Sequence, residues 1–322
     1  MLRTTNPLEK ILNKLEYSEL SSKIHFRIGV RTNGIPHIGT WLTIGFCFAI
    51  ARKLRNSVVH IQLLDNSTDE GPDAQYRNLK NVWMEPYESF AGRFSKLTSV
   101  AVEFSRYSED QLQPDFRRIF LKSLAAFDRL KQLSPLQALL PGKTLIGIRL
   151  LCPKCGLFDK DGKSVKLVCR TETDATFECM CPDHGRFEEI VSHRNSSFLN
   201  LTAIYRNIVK EALLAEQSER SIIMKGSDWL YAALVIDEGL EILECTRNRP
   251  SRIFTPLVTT DSGIKLSKTW IAQRRSCYRN VDQALLHMAS PDVEGIIVIC
   301  EKLLLRTDHS FDFYTCSEMK DI

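Results

Sequence analysis

Apolar and polar residues alternate along Ile24-His25-Phe26-Arg27-Ile28-Gly29-Val30, which predicts a β-strand. Trp41 to Arg52 is mostly apolar and ends in basic residues, the pattern of a buried helix. Ser57 to Asp65 is β-branched and apolar, a second strand lying parallel to the first because a crossover helix separates them. Further along, Ser89–Phe104 and Pro114–Leu133 carry helical apolar spacing, with Phe116, Ile119, Phe120, Leu124 and Phe127 on or near one face. Residues 198–214 predict another helix, Ser221–Trp229 a strand ending in Gly-x-Asp, Leu230–Leu243 a helix and Arg252–Val258 a last strand. Outside these lie a leading amphipathic helix over residues 8–22 and two helices in the tail, ending at Leu305. Strands alternating with helices predict an α/β fold with a parallel sheet.

Composition narrows the class. The chain has 322 residues, 43% of them hydrophobic, enough for one large core or two modest ones. A net charge of +4 permits nucleic-acid binding without arguing for it. No apolar run reaches the roughly 18 residues of a membrane span, and Met1–Pro7 lacks a signal-peptide core, so a cytoplasmic protein with no membrane partner is expected.

Between the first strand and the first helix runs Gly34-Ile35-Pro36-His37-Ile38-Gly39-Thr40. Such a loop sits at the carboxyl end of a strand and the amino end of a helix, where free N–H groups and the helix dipole favour phosphate. Gly34 and Gly39 admit a nucleotide close to the backbone, and His37 can donate to a phosphoryl oxygen as charge builds. Far down the chain, Ser262-Gly263-Ile264-Lys265-Leu266-Ser267-Lys268-Thr269 offers two ammonium groups suited to departing phosphates. Asp228, two residues after Gly226, is placed for a ribose diol or for capping the helix that follows. Asp65 and Asp69, past the second strand, can meet a substrate ammonium or simply cap the next helix.

Ten cysteines in a chain of this kind point to metal where they cluster. Cys152-Pro-Lys-Cys155-Gly and Cys181-Pro-Asp-His184-Gly are two knuckles that aim four donors at one point. They predict a small ribbon with a structural Zn²⁺ closed by protein, holding together an otherwise coreless hairpin. Cys179 can replace Cys181 or His184 in that set; Cys169 is the least suited.

The order of His37 loop, helical insertion, Cys-Pro-x-Cys ribbon, Gly-x-Asp and Lys265 loop resembles the class I aminoacyl-tRNA synthetases. Over residues 24–275 it is most similar to the catalytic half of the class I lysyl enzymes. The departures are Thr40 for the second histidine of the first signature, Leu266 and Thr269 in the second, and Trp229 after Gly-Ser-Asp. The resemblance implies a Rossmann-type nucleotide-binding domain that forms aminoacyl-adenylate from ATP with Mg²⁺. His37, Lys265 and Lys268 would act on the phosphates, and Gly34, Gly39, Thr40, Gly226, Asp228 and Ser267 would hold the nucleotide. Asp65 and Asp69 would meet lysine or an analogue, and tRNA or another acceptor would take the aminoacyl group. The expected organisation is an N-terminal helix (1–22), a first catalytic half with a helical insertion (23–147), the zinc ribbon (148–192), a second catalytic half (193–275) and a short helical tail (276–322). With residues 270–322 alone after the second signature, the expectation is a shortened synthetase paralogue without the family's anticodon domain. Transfer to a small molecule or carrier, a catalytically silent binder of RNA or amino acid, and a plain nucleotidyltransferase are the competing readings.

Overall fold

Strand β1 (Ile24–Arg31), helix α1 (Ile38–Ala51) and strand β2 (Ser57–Leu64) make the first βαβ unit, with β1 and β2 parallel in register from Ile24 opposite Ser57 to Arg31 opposite Leu64. The computed structural model describes residues 23–32, 38–54, 56–65, 84–133, 144–159, 162–195, 197–259, 292–305 and 313–315, together with Ile11 and Pro36. Apart from Ile11, the helix expected over 8–22 lies outside these residues, as do Gly34, His37, Asp69 and the Lys265 loop.

The helix expected over Ser89–Phe104 divides into helix α2 (Met84–Thr98) and strand β3 (Ala101–Arg106). Ser99, at φ 56°, takes the left-handed conformation that ends the helix. Val102 and Phe104 then pack towards the core that α2 shares, while Glu103 and Ser105 take the opposite side. β3 pairs parallel with β2 and forms one edge of the sheet. A helical stretch follows, made of α3 (Tyr107–Asp110), α4 (Pro114–Ala125) and α5 (Phe127–Lys131).

Strands β4 (Ile148–Arg149) and β8 (Asn200–Leu201) pair antiparallel and bracket a three-stranded antiparallel sheet: β5 (Val165–Arg170), β6 (Asp174–Cys181) and β7 (Gly185–Ser192). The ribbon is not coreless. Phe177 is fully buried and lies 6.4 Å from the ring of Phe120 on α4, so the hairpin shares a core with the helices. Helix α6 (Ala203–Glu216) begins later than residue 198, because Asn200 and Leu201 are taken by β8. Strand β9 (Arg220–Gly226), helix α7 (Leu230–Ile242) and strand β10 (Ser251–Thr255) complete the sheet, followed by β11 (Leu257–Thr259).

The central sheet is wholly parallel, in the order β10-β9-β1-β2-β3. The chain winds outward from β1 to β3 and returns to place β9 on the other side of β1. The topological switch point is therefore at β1 and β9, where ligands bind in open α/β sheets. α1, α2 and α8 (Val293–Leu305) share the core on one face. Gly45 lets α8 approach: a Cβ there would stand 2.7 Å from Ile296 Cγ2. α6, packed against α4 and α7, covers the other face, and β12 (Phe313–Thr315) pairs parallel with β11. Among the described residues no helix is long and apolar enough to cross a membrane.

Candidate functional site

Both knuckles close as tight turns. Gly156 N–H donates to Cys152 C=O at 2.6 Å, and Gly156 and Gly185 adopt φ 67° and 74°, a region that favours glycine. The donor atoms of Cys152, Cys155, Cys181 and His184 all lie within 4.8 Å of one another. Cys155 Sγ is 3.6 Å from Cys181 Sγ, and His184 Nδ1 is 3.8 Å from Cys152 Sγ and 3.7 Å from Cys181 Sγ. A tetrahedron with Zn–S bonds of about 2.3 Å has S–S edges of about 3.8 Å, so the set fits Zn²⁺. Although desolvation opposes ionisation of the Cys152 thiol, hydrogen bonds from the backbone of Cys155 and Lys154 bring it down to about 6, towards the thiolate a metal requires. Cys179 is outside the cluster, buried with the ribbon's hydrophobic residues.

At the switch point the described parts of three segments converge. α1 starts at Ile38, with Gly39 and Thr40 in its first turn and Pro36 buried just before it. Thr43 Oγ1 donates to Gly39 C=O at 2.9 Å and lies 3.2 Å from Thr255 Oγ1, which is 3.3 Å from Lys225 C=O. One threonine pair thus ties the amino end of α1 to the carboxyl ends of β9 and β10. Gly226 leaves room for the Asp228 carboxylate where it stands: a Cβ there would lie 2.6 Å from Asp228 Oδ1 and make that side chain turn away. Asp228 itself is exposed, in the 3₁₀ turn Ser227–Trp229 that opens α7. His37 and Gly34, which precede α1, and Lys265, Ser267 and Lys268, which follow β11, lie outside the described residues. Asp65 is occupied by structure, accepting from Ser108 N–H at 2.9 Å and from the Ser108 hydroxyl.

A second group was not singled out from the sequence. On the face of the sheet under α6, Gln62 of β2 stands opposite Gly29 and Ser105, and Lys225 is the next-to-last residue of β9. Lys210 Nζ donates to Gln62 Oε1, and Gln62 Nε2 donates to Asp110, which also accepts from Ser105 Oγ at 2.8 Å. Lys225 Nζ donates to Asn207 Oδ1 at 3.0 Å and lies 4.7 Å above the Trp229 ring. Arg206, 5% exposed, lies over the Tyr107 ring at 5.2 Å. Burial lowers the Lys210 ammonium to about 7 and the Lys225 ammonium to about 8; Lys225 and Arg206 depress Lys210 further, and Arg206 depresses Lys225. The legible signal was polar alternation in β1 and β2, where a parallel sheet covered on both faces ordinarily reads as a continuous apolar run.

No protein-family model matches the chain, and no curated protein sequence matches it. Solved structures do resemble it. A glutamate-tRNA synthetase from Elizabethkingia anophelis is 15% identical, with a TM-score of 0.40 over 78% of this chain and 54% of that one. A tyrosyl-tRNA synthetase from Archaeoglobus fulgidus, complexed with L-tyrosine, is 15% identical, with a TM-score of 0.43 over 81% and 63%. A C-terminally truncated mitochondrial tyrosyl-tRNA synthetase from Coccidioides posadasii is 13% identical, with a TM-score of 0.41 over 91% and 77%. The chain thus spans 54% and 63% of the first two structures.

Proposed function

We propose that this protein activates an amino acid with ATP, forming aminoacyl-adenylate and pyrophosphate on a class I synthetase-type core, and passes the aminoacyl group to tRNA or another acceptor. The observation that carries this reading is the convergence at the switch point. There the amino end of α1, the Gly226-x-Asp228 turn and the carboxyl end of β10 are joined through Thr43 and Thr255. In the proposed reaction the amino-acid carboxylate attacks the α-phosphorus, the bond to the bridging oxygen breaks, and pyrophosphate leaves with the electron pair. The protein supplies position and charge. Asp228 grips the ribose, and Gly34, Gly39 and Thr40 admit the triphosphate at the amino end of α1. His37, with Lys265, Ser267 and Lys268, stabilises the phosphates as charge moves onto the leaving group. Mg²⁺ bound with ATP would shield the phosphate oxygens. Cys152, Cys155, Cys181 and His184 would hold Zn²⁺ through four protein donors, leaving no open position, a structural rather than catalytic role.

Amino-acid-dependent ATP–pyrophosphate exchange, run with and without bulk tRNA, tests the reading. Lys268→Ala should lower exchange by about 10²-fold or more, as loss of one charge-stabilising donor does, with the circular-dichroism spectrum unchanged. Exchange at the parent rate by this variant would remove Lys268 from the chemistry. ATP bound without exchange for any amino acid would favour a silent binding protein instead.

A further inference from the structure

Resting on the activation reading above, the polar row under α6 bears on which amino acid is used. Three cations, Arg206, Lys210 and Lys225, come together at the carboxyl half of the sheet, beside the switch point. Their partners are neutral. Among the described residues Lys210 meets the amide oxygen of Gln62, Lys225 the amide oxygen of Asn207 and the Trp229 ring, and Arg206 the Tyr107 ring. The Arg206 side chain has neither a hydrogen bond nor an ion pair among the described residues, although its residue is 5% exposed. The nearby acids are Asp110 and Glu211, whose charges offset part of the cost of Lys210 and, for Glu211, of Lys225. Asp110 accepts from Gln62 and Ser105, and Glu211 is paired with Arg252, which also meets Asp237. Arg31, at the end of β1, adds a further positive charge facing Arg206. Arg206 is buried and Lys210 and Lys225 are half-buried, and cations drawn partly out of water onto amides and rings are costly, a cost that an anion of matching shape relieves.

We infer that Arg206, Lys210 and Lys225 form a carboxylate-recognising pocket and that the amino acid activated here carries an anionic side chain. The carboxylate concerned is the side chain's. The α-carboxylate must attack phosphorus, and a nest of cationic donors would hold back its lone pair. The triphosphate is served by the amino end of α1 and by the lysine signature. Lysine, the amino acid the sequence suggested, would bring a fourth cation to a cluster in which Lys225 and Arg206 already depress Lys210. The acids expected to receive it were Asp65 and Asp69, and Asp65 is held by Ser108.

The test is exchange by the full chain with glutamate, aspartate, lysine and the other standard amino acids, paired with calorimetric titration of glutamate and aspartate. An acidic amino acid should support exchange about 100-fold or more above lysine. Lys225→Gln and Arg206→Gln should each raise KM for that amino acid about tenfold or more, the loss of one charged hydrogen bond, with KM for ATP unchanged. Lys210→Met removes a half-buried charge, so it should melt no lower than the parent at neutral pH while also losing amino-acid affinity, which separates recognition from folding. Exchange best supported by lysine or a neutral amino acid would overturn the inference and leave the activation reading standing. An increase in KM for ATP alone in these variants would likewise overturn it, assigning the cations to nucleotide. Binding of glutamate or aspartate that is lost in Lys225→Gln, without exchange for any amino acid, would support the pocket and overturn the activation reading. Silence in both measurements would overturn both.

Discussion

On the side of the sheet covered by α1, α2 and α8, the strands present Phe26, Ile28, Val59, Ile61, Leu63, Ile222 and Met224, all within one hydrophobic core. On the side under α6, the same strands present Arg27, His60, Gln62, Ser105, Ser221 and Lys225. The amino-terminal half of that polar side is closed off by partners: Arg27 donates to Ser221 Oγ at 2.9 Å and to Glu219 at 2.9 Å, and His60 lies 3.0 Å from Ser105 Oγ. Towards the carboxyl ends Lys225 meets the neutral Asn207 amide, and Gln62 bridges Lys210 and Asp110. One face thus supplies stability. The other gives up apolar burial, and the loss is concentrated where ligands bind, as expected if recognition rather than stability selects those residues.

The largest effect should come from the apolar side. Phe26 is fully buried in the strand at the centre of the sheet, so Phe26→Ala should cost about 3–5 kcal/mol in urea unfolding. A loss under about 1 kcal/mol would mean that this face is not the stability-bearing one.

A smaller, pH-dependent effect should come from the polar side. The folded Lys210 ammonium titrates at about 7 against an ordinary lysine near 10.5, through burial first and then the charges of Lys225 and Arg206, opposed by Asp110 and Glu211. Between those values the unfolded chain binds the proton and the folded chain does not, so stability rises with pH across the window, and the penalty is full below about 7. Lys210→Met should therefore raise the melting temperature most near pH 6, with the gain shrinking as pH climbs towards 9 or above. Lys225, titrating at about 8 for the same first cause, keeps part of the slope in the variant. A gain independent of pH would contradict a Lys210 whose ammonium is held down by its half-buried setting.

The smallest effect should be local. Treating zinc-loaded protein with a chelator should speed amide exchange around Cys152–Cys155 and Cys181–His184 while β1, β2 and α1 keep their protection. The ribbon retains Phe177, Ala175 and Val191 in the helical core, so it should loosen at its tip rather than unfold. Loss of protection across the parallel sheet on chelation would show that the metal supports the whole domain.

Much of this was legible in the chain. The buried helix behind His37, both parallel strands of the first unit, the strand into Gly226-x-Asp228 and the helix after it follow from apolar periodicity and glycine placement. The four-donor cluster followed from two knuckles of identical spacing. β3 was hidden inside a longer helical pattern, since Ser99 carries no proline or glycine signal for the left-handed turn that ends α2. The ribbon's burial was hidden for another reason: Phe120 and Phe177 are far apart in the chain and meet only when the helices and hairpin pack.

The sequence by itself determined the alternation of strand and helix and the metal knuckles. Each depends on residues close enough in the chain to share one turn, one strand or one helix face. Only the tertiary structure decided that Arg206 and Lys210 from one helix meet Lys225 from the next strand and Gln62 from a much earlier one. Charge on an isolated segment is solvated and says little. Its cost, and with it the ligand chemistry it implies, exists only once packing has removed the water.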